Sequence, residues 1–248
     1  MVLPRMTSAD SPFGRLLSRR EVVALLGATG VLWLAGGLNP WRAMADSQTP
    51  SCAVRPEQTE GPYFVDERLH RSDIRSDPAD GLVRPGTPLA LTLLVSRLNA
   101  GGCEPLPRAQ VDIWHCDAQG IYSDVRDPDF NTVGQKFFRG YQITDARGEA
   151  RFVTIYPGWY EGRTVHIHFK IRTAPAAGRG FEFTSQMYFD DGLTDRVHAD
   201  PPYAARGTRT ARNHHDRIFR RGGDQLMLAP TTAATGYAAT FVIGLQLP

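Results

Sequence analysis

Only three cysteines occur in the 248 residues, Cys52, Cys103 and Cys116, too few for a disulfide-dense scaffold. An odd count in an oxidising compartment predicts one disulfide and one free thiol. Cys52 and Cys103 sit in turn-rich segments and are the favoured pair, whereas Cys116 lies in a strand-like run beside His115. A long apolar run is also missing. The most apolar stretch, from about Val22 to Leu38, has 17 residues and is broken by Gly27, Gly30, Gly36 and Gly37, short and weak for a spanning helix. Charge of one sign is lacking as well. With the five arginines and two acids of residues 1–45 set aside, the 28 basic and 26 acidic side chains become 23 and 24. Such a balance leaves no electrostatic footprint for nucleic acid, and the Arg217, Arg220, Arg221 cluster reads as a solvated turn. Convincing 3.6-residue periodicity, internal repeats and low-complexity tracts are absent too, which argues against a helical architecture.

The first 45 residues stand apart. Arg5, Arg15 and the pair Arg19-Arg20 precede the apolar run, and Ala43-Met44-Ala45 follows it as a small-residue cleavage site. Ser18-Arg19-Arg20-Glu21-Val22-Val23 resembles a twin-arginine signal, which exports proteins already folded. The expectation is a cleaved signal over 1–45, a periplasmic or extracellular location, and no stable membrane anchor. Folded export suits a protein that takes up its cofactor in the cytoplasm.

Residues 46–86, rich in Pro, Gly, Asp and Arg, read as an irregular arm, and 87–248 as the main domain. From Pro88 onward short β-type runs recur, at Leu89–Val95, Ala109–Cys116, Phe138–Thr144, Ala150–Ile155, Thr164–Arg172, Phe183–Phe189 and Ala238–Leu247. Asn99-Ala100-Gly101-Gly102, Asp145-Ala146-Arg147-Gly148 and Pro175–Gly180 separate some of them. The pattern predicts an all-β protein, an antiparallel β-sandwich with long irregular loops. Residues 190–223, heavy in Asp, Arg, Pro and Gly, read as one long loop.

The segment with most chemical content is 156–169, Tyr-Pro-Gly-Trp-Tyr-Glu-Gly-Arg-Thr-Val-His-Ile-His-Phe. His166 and His168 alternate with Val165, Ile167, Phe169 and Ile171, so a strand sends both imidazoles to one face and the apolar side chains to the other. That is half a metal site. Tyr160 just upstream offers a phenolate, and hard oxygen donors suit a metal such as ferric iron. Val111–Ser123 ends a strand in a turn, Gly120-Ile121-Tyr122, that aims a second phenol over the sheet end. Plainer readings stand beside these. The histidines could be a polar face, the tyrosines corner residues bonded to backbone, Arg163 a partner of Glu161, Gln186 a strand residue facing water. Pro62 and Tyr63 could be a turn and a packing aromatic, and Trp114 core. His115-Cys116-Asp117 also has the spacing of a 2-His-1-carboxylate Fe(II) site, with His198, His214 or His215 as the third ligand.

Trp114-His115 with Gly120, Tyr122 and Ser123, then Pro157-Gly158-Trp159-Tyr160, then Arg163-x-x-His166-x-His168, occur in the order seen in intradiol ring-cleavage dioxygenases. Thr59-Glu60-Gly61-Pro62-Tyr63-Phe64 resembles that family's N-terminal substrate-pocket segment, and Gln186 its supporting glutamine. The resemblance runs from about Cys52 to the C-terminus and implies that 87–248 is a catalytic domain. It implies non-haem Fe(III) held by Tyr122, Tyr160, His166 and His168. The substrates would be a catechol and O₂, and the product a cis,cis-muconate-type diacid from cleavage between the hydroxyl-bearing carbons. By the same resemblance Tyr160 is displaced as catechol binds and accepts a substrate proton. Arg163 stabilises developing negative charge, Gln186 supports it, and Gly61, Pro62 and Tyr63 line the substrate pocket. Members assemble from subunits, so a homo-oligomer is implied. Two departures are visible. The long helical N-terminal region of catechol 1,2-dioxygenases is missing, which favours a protocatechuate-type layout. The link from Tyr160 to His166 is five residues, Glu161–Val165, short for the family, which reshapes the pocket wall. The alternative from another class is a catalytically silent β-sandwich that binds a ligand or metal outside the cytoplasm.

Overall fold

The computed structural model describes residues 52–173 and 180–247. The expected export signal over 1–45 lies outside the described residues, as does most of the Pro175–Gly180 separator. The chain divides into two units, Met1–Gln48 and Thr49–Pro248, and all the described residues lie in the second.

Among the described residues nine strands form two sheets: β1 (Pro88–Asn99), β2 (Gly102–Pro105), β3 (Gln110–Trp114), β4 (Arg139–Ile143), β5 (Glu149–Ile155), β6 (His166–Arg172), β7 (Glu182–Tyr188), β8 (Thr231–Thr232) and β9 (Tyr237–Leu245). One sheet runs β2-β1-β9-β8, with β5 also on β1, and the other runs β4-β3-β6-β7. All pairs are antiparallel except β1 with β9, which is parallel in the register Leu89 to Tyr237. Period-2 alternation builds the core. Leu89, Leu91, Leu93 and Val95 of β1 and Phe241, Ile243 and Leu245 of β9 face Val111 and Ile113 of β3 and Ile167, Phe169 and Ile171 of β6. Phe169 and Phe241 meet across the sheets with ring centroids 5.4 Å apart. The sandwich expected from the strand pattern is therefore the fold observed.

The arm closes the sandwich edge. Tyr141 N donates to Leu69 O at 2.8 Å, Val153 N to Ser72 O at 2.9 Å and Ile74 N to Val153 O at 3.0 Å, so irregular backbone covers the free edges of β4 and β5. Cys52 and Cys103 form a disulfide, tying the arm to β2, and Cys116 is free and buried. The long-loop expectation for 190–223 needs correction. Residues Asp191–His198 form a helix, α1, and single 3₁₀ turns follow at Tyr203–Arg206 and Asn213–His215. Eight residues containing Gly192 have little intrinsic helicity. The Asp190 side chain caps the first turn by accepting from Leu193 N, and Leu193, Thr194, Val197 and His198 are buried. Tertiary packing makes this helix, which is why the local pattern concealed it. No helix among the described residues is long and apolar enough to cross a membrane.

Candidate metal centre and its surroundings

Because Ile167, Phe169 and Ile171 point into the core, His166, His168 and Lys170 of β6 point to the outer face of the four-stranded sheet. That face is covered rather than wet. Gln58 N donates to Thr184 O at 3.0 Å, laying the arm across β7. Phe64 packs on Trp114 with centroids 4.8 Å apart, and Lys170 Nζ sits 4.2 Å from the Phe64 ring. Trp114 in turn stacks on His168, centroids 4.9 Å apart and nearly coplanar at 6°. Under this cover both imidazoles are about 2% exposed.

The turn after β3 delivers Tyr122. Asp117 Oδ1 accepts from Gln119 N at 2.8 Å and Ile121 N at 2.9 Å, and Gly120 adopts φ +81°. A side chain at Gly120 would place Cβ 2.1 Å from Trp159 O, so this turn and the Trp159-Tyr160 loop approach through glycine alone. Thr132 Oγ1 donates to Tyr122 O at 2.6 Å, and the buried Arg139 guanidinium donates Nη2 to Ser123 O at 2.6 Å, fixing the backbone around the phenol.

Four donor side chains converge. His166 Nε2 and His168 Nε2 are 3.0 Å apart, and Tyr160 Oη is 3.2 Å from His166 Nε2. The Tyr122 and Tyr160 rings meet edge-on at 5.6 Å, and Tyr122 lies 6.4 Å from the His168 ring. His166 Nδ1 donates to Thr164 O at 2.6 Å, which leaves its Nε2 lone pair facing the cluster. Burial, helped by the nearby Arg163 charge, holds both imidazoles well below their usual pKa, so they are neutral and ligand-competent. Burial pushes the Tyr160 phenol up to about 12 and the Tyr122 phenol well above its usual value. The Tyr122 hydroxyl is buried with no hydrogen-bond partner. A buried phenol without a partner is costly unless something else takes its oxygen. A cation would do so, reversing the pKa logic by replacing the lost hydration of two phenolates. Two imidazoles and two phenols with no thiolate fit a hard, ferric-type ion.

Arg163 does not pair with Glu161. Its Nε donates to Asp216 Oδ2 at 2.8 Å, its Nη2 to Gln186 Oε1 at 2.5 Å, and its Nη1 lies 3.5 Å from Tyr160 Oη. Gln186 is fully buried rather than facing water, and its amide donates to Thr59 O at 2.9 Å. Gly61 lies over His168, and Tyr63 stacks on Tyr122 at 4.6 Å while donating its hydroxyl to Asp127 at 2.7 Å. Gly61 and Tyr63 thus border the cluster from the arm. The Fe(II) alternative is not assembled. His115 bonds Cys116 O at 2.7 Å and Thr154 Oγ1 at 2.6 Å, Asp117 is used by its own turn, and His198 bonds Pro157 O. No group of three or more His, Cys, Asp or Glu among the described residues is disposed to hold a metal.

Residues missed in the sequence are those that support rather than ligate: Trp114, Thr132, Arg139 and Asp216. Asp216 is 1% exposed, and its carboxylate also accepts from Thr164 N at 3.1 Å, next to the strand that carries the histidines. Only the Trp114 signal was in reach, since its alternation with Asp112 puts it on the outer face beside His168.

Fold and site define a β-sandwich with a buried imidazole–phenol donor cluster on one outer sheet face. A profile of the dioxygenase family matches residues 59–214. An intradiol ring-cleavage dioxygenase from Tetranychus urticae superposes with a TM-score of 0.67 at 30% identity, covering 79% of this chain and 95% of that one. The protocatechuate 3,4-dioxygenase beta chain of Burkholderia cepacia is 32% identical over 142 residues, 52% of this chain and 59% of its own length. The chlorocatechol 1,2-dioxygenase of Pseudomonas putida is 31% identical over 108 residues, 36% of this chain and 38% of its own. The match thus spans less than two thirds of either curated relative. The chain belongs to the dioxygenase family, among the intradiol ring-cleavage members.

Proposed function

We propose that the protein is an exported, non-haem Fe(III) enzyme. It would cleave a catechol between its two hydroxyl-bearing carbons with O₂, placing both oxygen atoms in a cis,cis-muconate-type diacid. The observation that carries this reading is the convergence of the His166 and His168 Nε2 atoms with the Tyr160 and Tyr122 phenols in a water-poor site. Tyr122, Tyr160, His166 and His168 would hold the iron. When bound, ferric iron would supply Lewis acidity that lowers the pKa of the catechol hydroxyls, so that the ring is held as an electron-rich catecholate that O₂ can attack.

The chain's own residues do the rest. Tyr160 is half-buried whereas Tyr122 is 1% exposed, so Tyr160 is the one free to swing out and, as the phenolate that a bound cation would leave, to take a catechol proton on Oη. Arg163, clamped by Asp216 and Gln186, points Nη1 at that phenol and stabilises negative charge as it grows. Trp114 and Tyr63 hold His168 and Tyr122 in place by stacking. Export is supported by the twin-arginine-like segment and by the Cys52–Cys103 disulfide, a bond that persists in oxidising compartments.

A visible spectrum of the purified protein, with iron quantified before and after anaerobic catechol addition, tests the proposal. A broad visible band that moves to longer wavelength is expected. A protein that stays colourless after iron loading overturns it.

A further inference from the structure

A cavity of about 410 Å³ opens beside Tyr160, lined by Tyr63, Phe130, Asp127, Asp129, Glu161 and Arg206 among others. Its size falls in the range that takes a drug-sized molecule, so a bare catechol leaves much of it empty. Tyr63, on its wall, stacks on Tyr122, whose buried hydroxyl has no partner, and packs edge-on to Tyr160 at 6.3 Å. The cavity thus borders the donor cluster at Tyr160. The arginine-lined cleft of about 330 Å³ at Arg217 and Arg221 is bordered instead by Arg163, whose guanidinium is committed to Asp216 and Gln186.

The charge pattern of the wall is specific. Asp129 and Glu161 are exposed and make no ion pair or side-chain hydrogen bond among the described residues, and Asp127 holds the Tyr63 hydroxyl. The lining cation, Arg206, is tethered over the Trp159 ring at 4.9 Å and donates Nε to Trp159 O at 2.9 Å. Three carboxylates against one tethered arginine, with the Tyr63 and Phe130 rings lining the same cavity, form a surface that attracts an organic ammonium by Coulomb and cation–π forces together. The linker from Tyr160 to His166, only Glu161–Val165, places Glu161 immediately after the donor phenol.

We propose that the site takes catechols bearing a positively charged side chain, with the ring at the donor cluster and the ammonium group between Asp129, Glu161 and the faces of Tyr63 and Phe130. This rests on the ring-cleavage reading above.

The test compares three ring-substituted catechols that differ only in the end group of a two-carbon arm, aminoethyl, hydroxyethyl and carboxymethyl, with unsubstituted catechol as reference. Each is titrated anaerobically into the iron-loaded protein, and turnover is then measured in air. The aminoethyl compound is expected to bind about 10-fold more tightly than the hydroxyethyl one, with the ratio shrinking at high salt. In the double variant Asp129→Asn, Glu161→Gln that ratio is expected to fall to about one. Equal affinities in the parent, tightest binding of the carboxymethyl compound, or an unaltered ratio in the double variant overturns the inference while catechol turnover leaves the reaction standing. If no catechol binds or is cleaved, the ring-cleavage reading falls first and this inference with it.

Discussion

Gln186 and Arg163 act as one unit: Gln186 Oε1 accepts from Arg163 Nη2 at 2.5 Å and from Tyr188 Oη at 3.1 Å, while its amide reaches Thr59 O at 2.9 Å. A buried glutamine therefore couples the guanidinium beside Tyr160 to the arm that covers the site. Gln186→Leu is expected to free Arg163 and lower kcat about 10²-fold, the order of loss that misplacing a catalytic group brings, with iron content close to parent. Steady-state kinetics with metal analysis check this. Activity within two-fold of parent would show that Arg163 is held adequately by Asp216 alone.

The donor set makes an ordered prediction. His166 Nδ1 is committed to Thr164 O, so this ring is pre-oriented, and His166→Ala removes a donor that the proposed iron site would need. That variant is expected to lose most of its iron. Tyr160, at the rim, is half-buried, and Tyr160→Phe is expected to keep the fold and a large part of the iron while shifting the visible band and slowing turnover. Full iron and activity in His166→Ala, or an unchanged spectrum in Tyr160→Phe, would remove that residue from the ligand set.

The sandwich and the donor residues were legible because both rest on short-range pattern. Alternation over Thr164–Ile171 separates the core face from the imidazole-bearing face in one strand, and glycine at 120 marks the turn that aims Tyr122. What was hidden depends on long-range pairing. Asp216 reaches Arg163 from a segment 53 residues away, and α1 exists because Leu193 and Val197 find a core to enter. The parallel pairing of β1 with β9 joins the first and last strands of the sandwich, and strand patterns carry no record of partner or direction.

Gly61 sits at φ +74°, with the position of a would-be Cβ 3.5 Å from His168 Cε1. An alanine there fits the space but not the backbone, a left-handed conformation that costs an L-residue about 1–2 kcal/mol. Gly61→Ala is expected to lower Tm by about 2–8 °C and to raise KM as the arm shifts over the site. A Tm equal to parent would show that the arm relaxes to ordinary φ at no cost.

The Cys52–Cys103 bond closes a loop with a sequence separation of 51, fastening the arm to β2. Cross-linking a loop of that length is worth about 4 kcal/mol through the unfolded chain. The paired change Cys52→Ser, Cys103→Ser is expected to lower stability by about that amount. In the parent, one thiol, Cys116, should react with a thiol reagent only after unfolding, since the group is buried against Gly158 O. Three reactive thiols in the unfolded, unreduced protein would exclude the disulfide.

His115 sets an acid limit on stability. It is buried, donates Nδ1–H to Cys116 O at 2.7 Å and accepts from Thr154 Oγ1 at 2.6 Å, and burial pulls its pKa from 6.5 down to about 4. Above pH 6.5 the ring is neutral in both folded and unfolded chains and costs nothing. Below it the unfolded chain takes up a proton that the folded one refuses, so stability falls as pH drops and the loss is complete near pH 4. The gap corresponds to about 3 kcal/mol. His115→Gln keeps one donor and one acceptor without titrating, and its urea midpoint should fall less steeply over that window than the parent's in the same metal state. Parallel midpoint curves for the two proteins would mean that this imidazole protonates in place, and that the Thr154 hydroxyl turns its oxygen to the new proton.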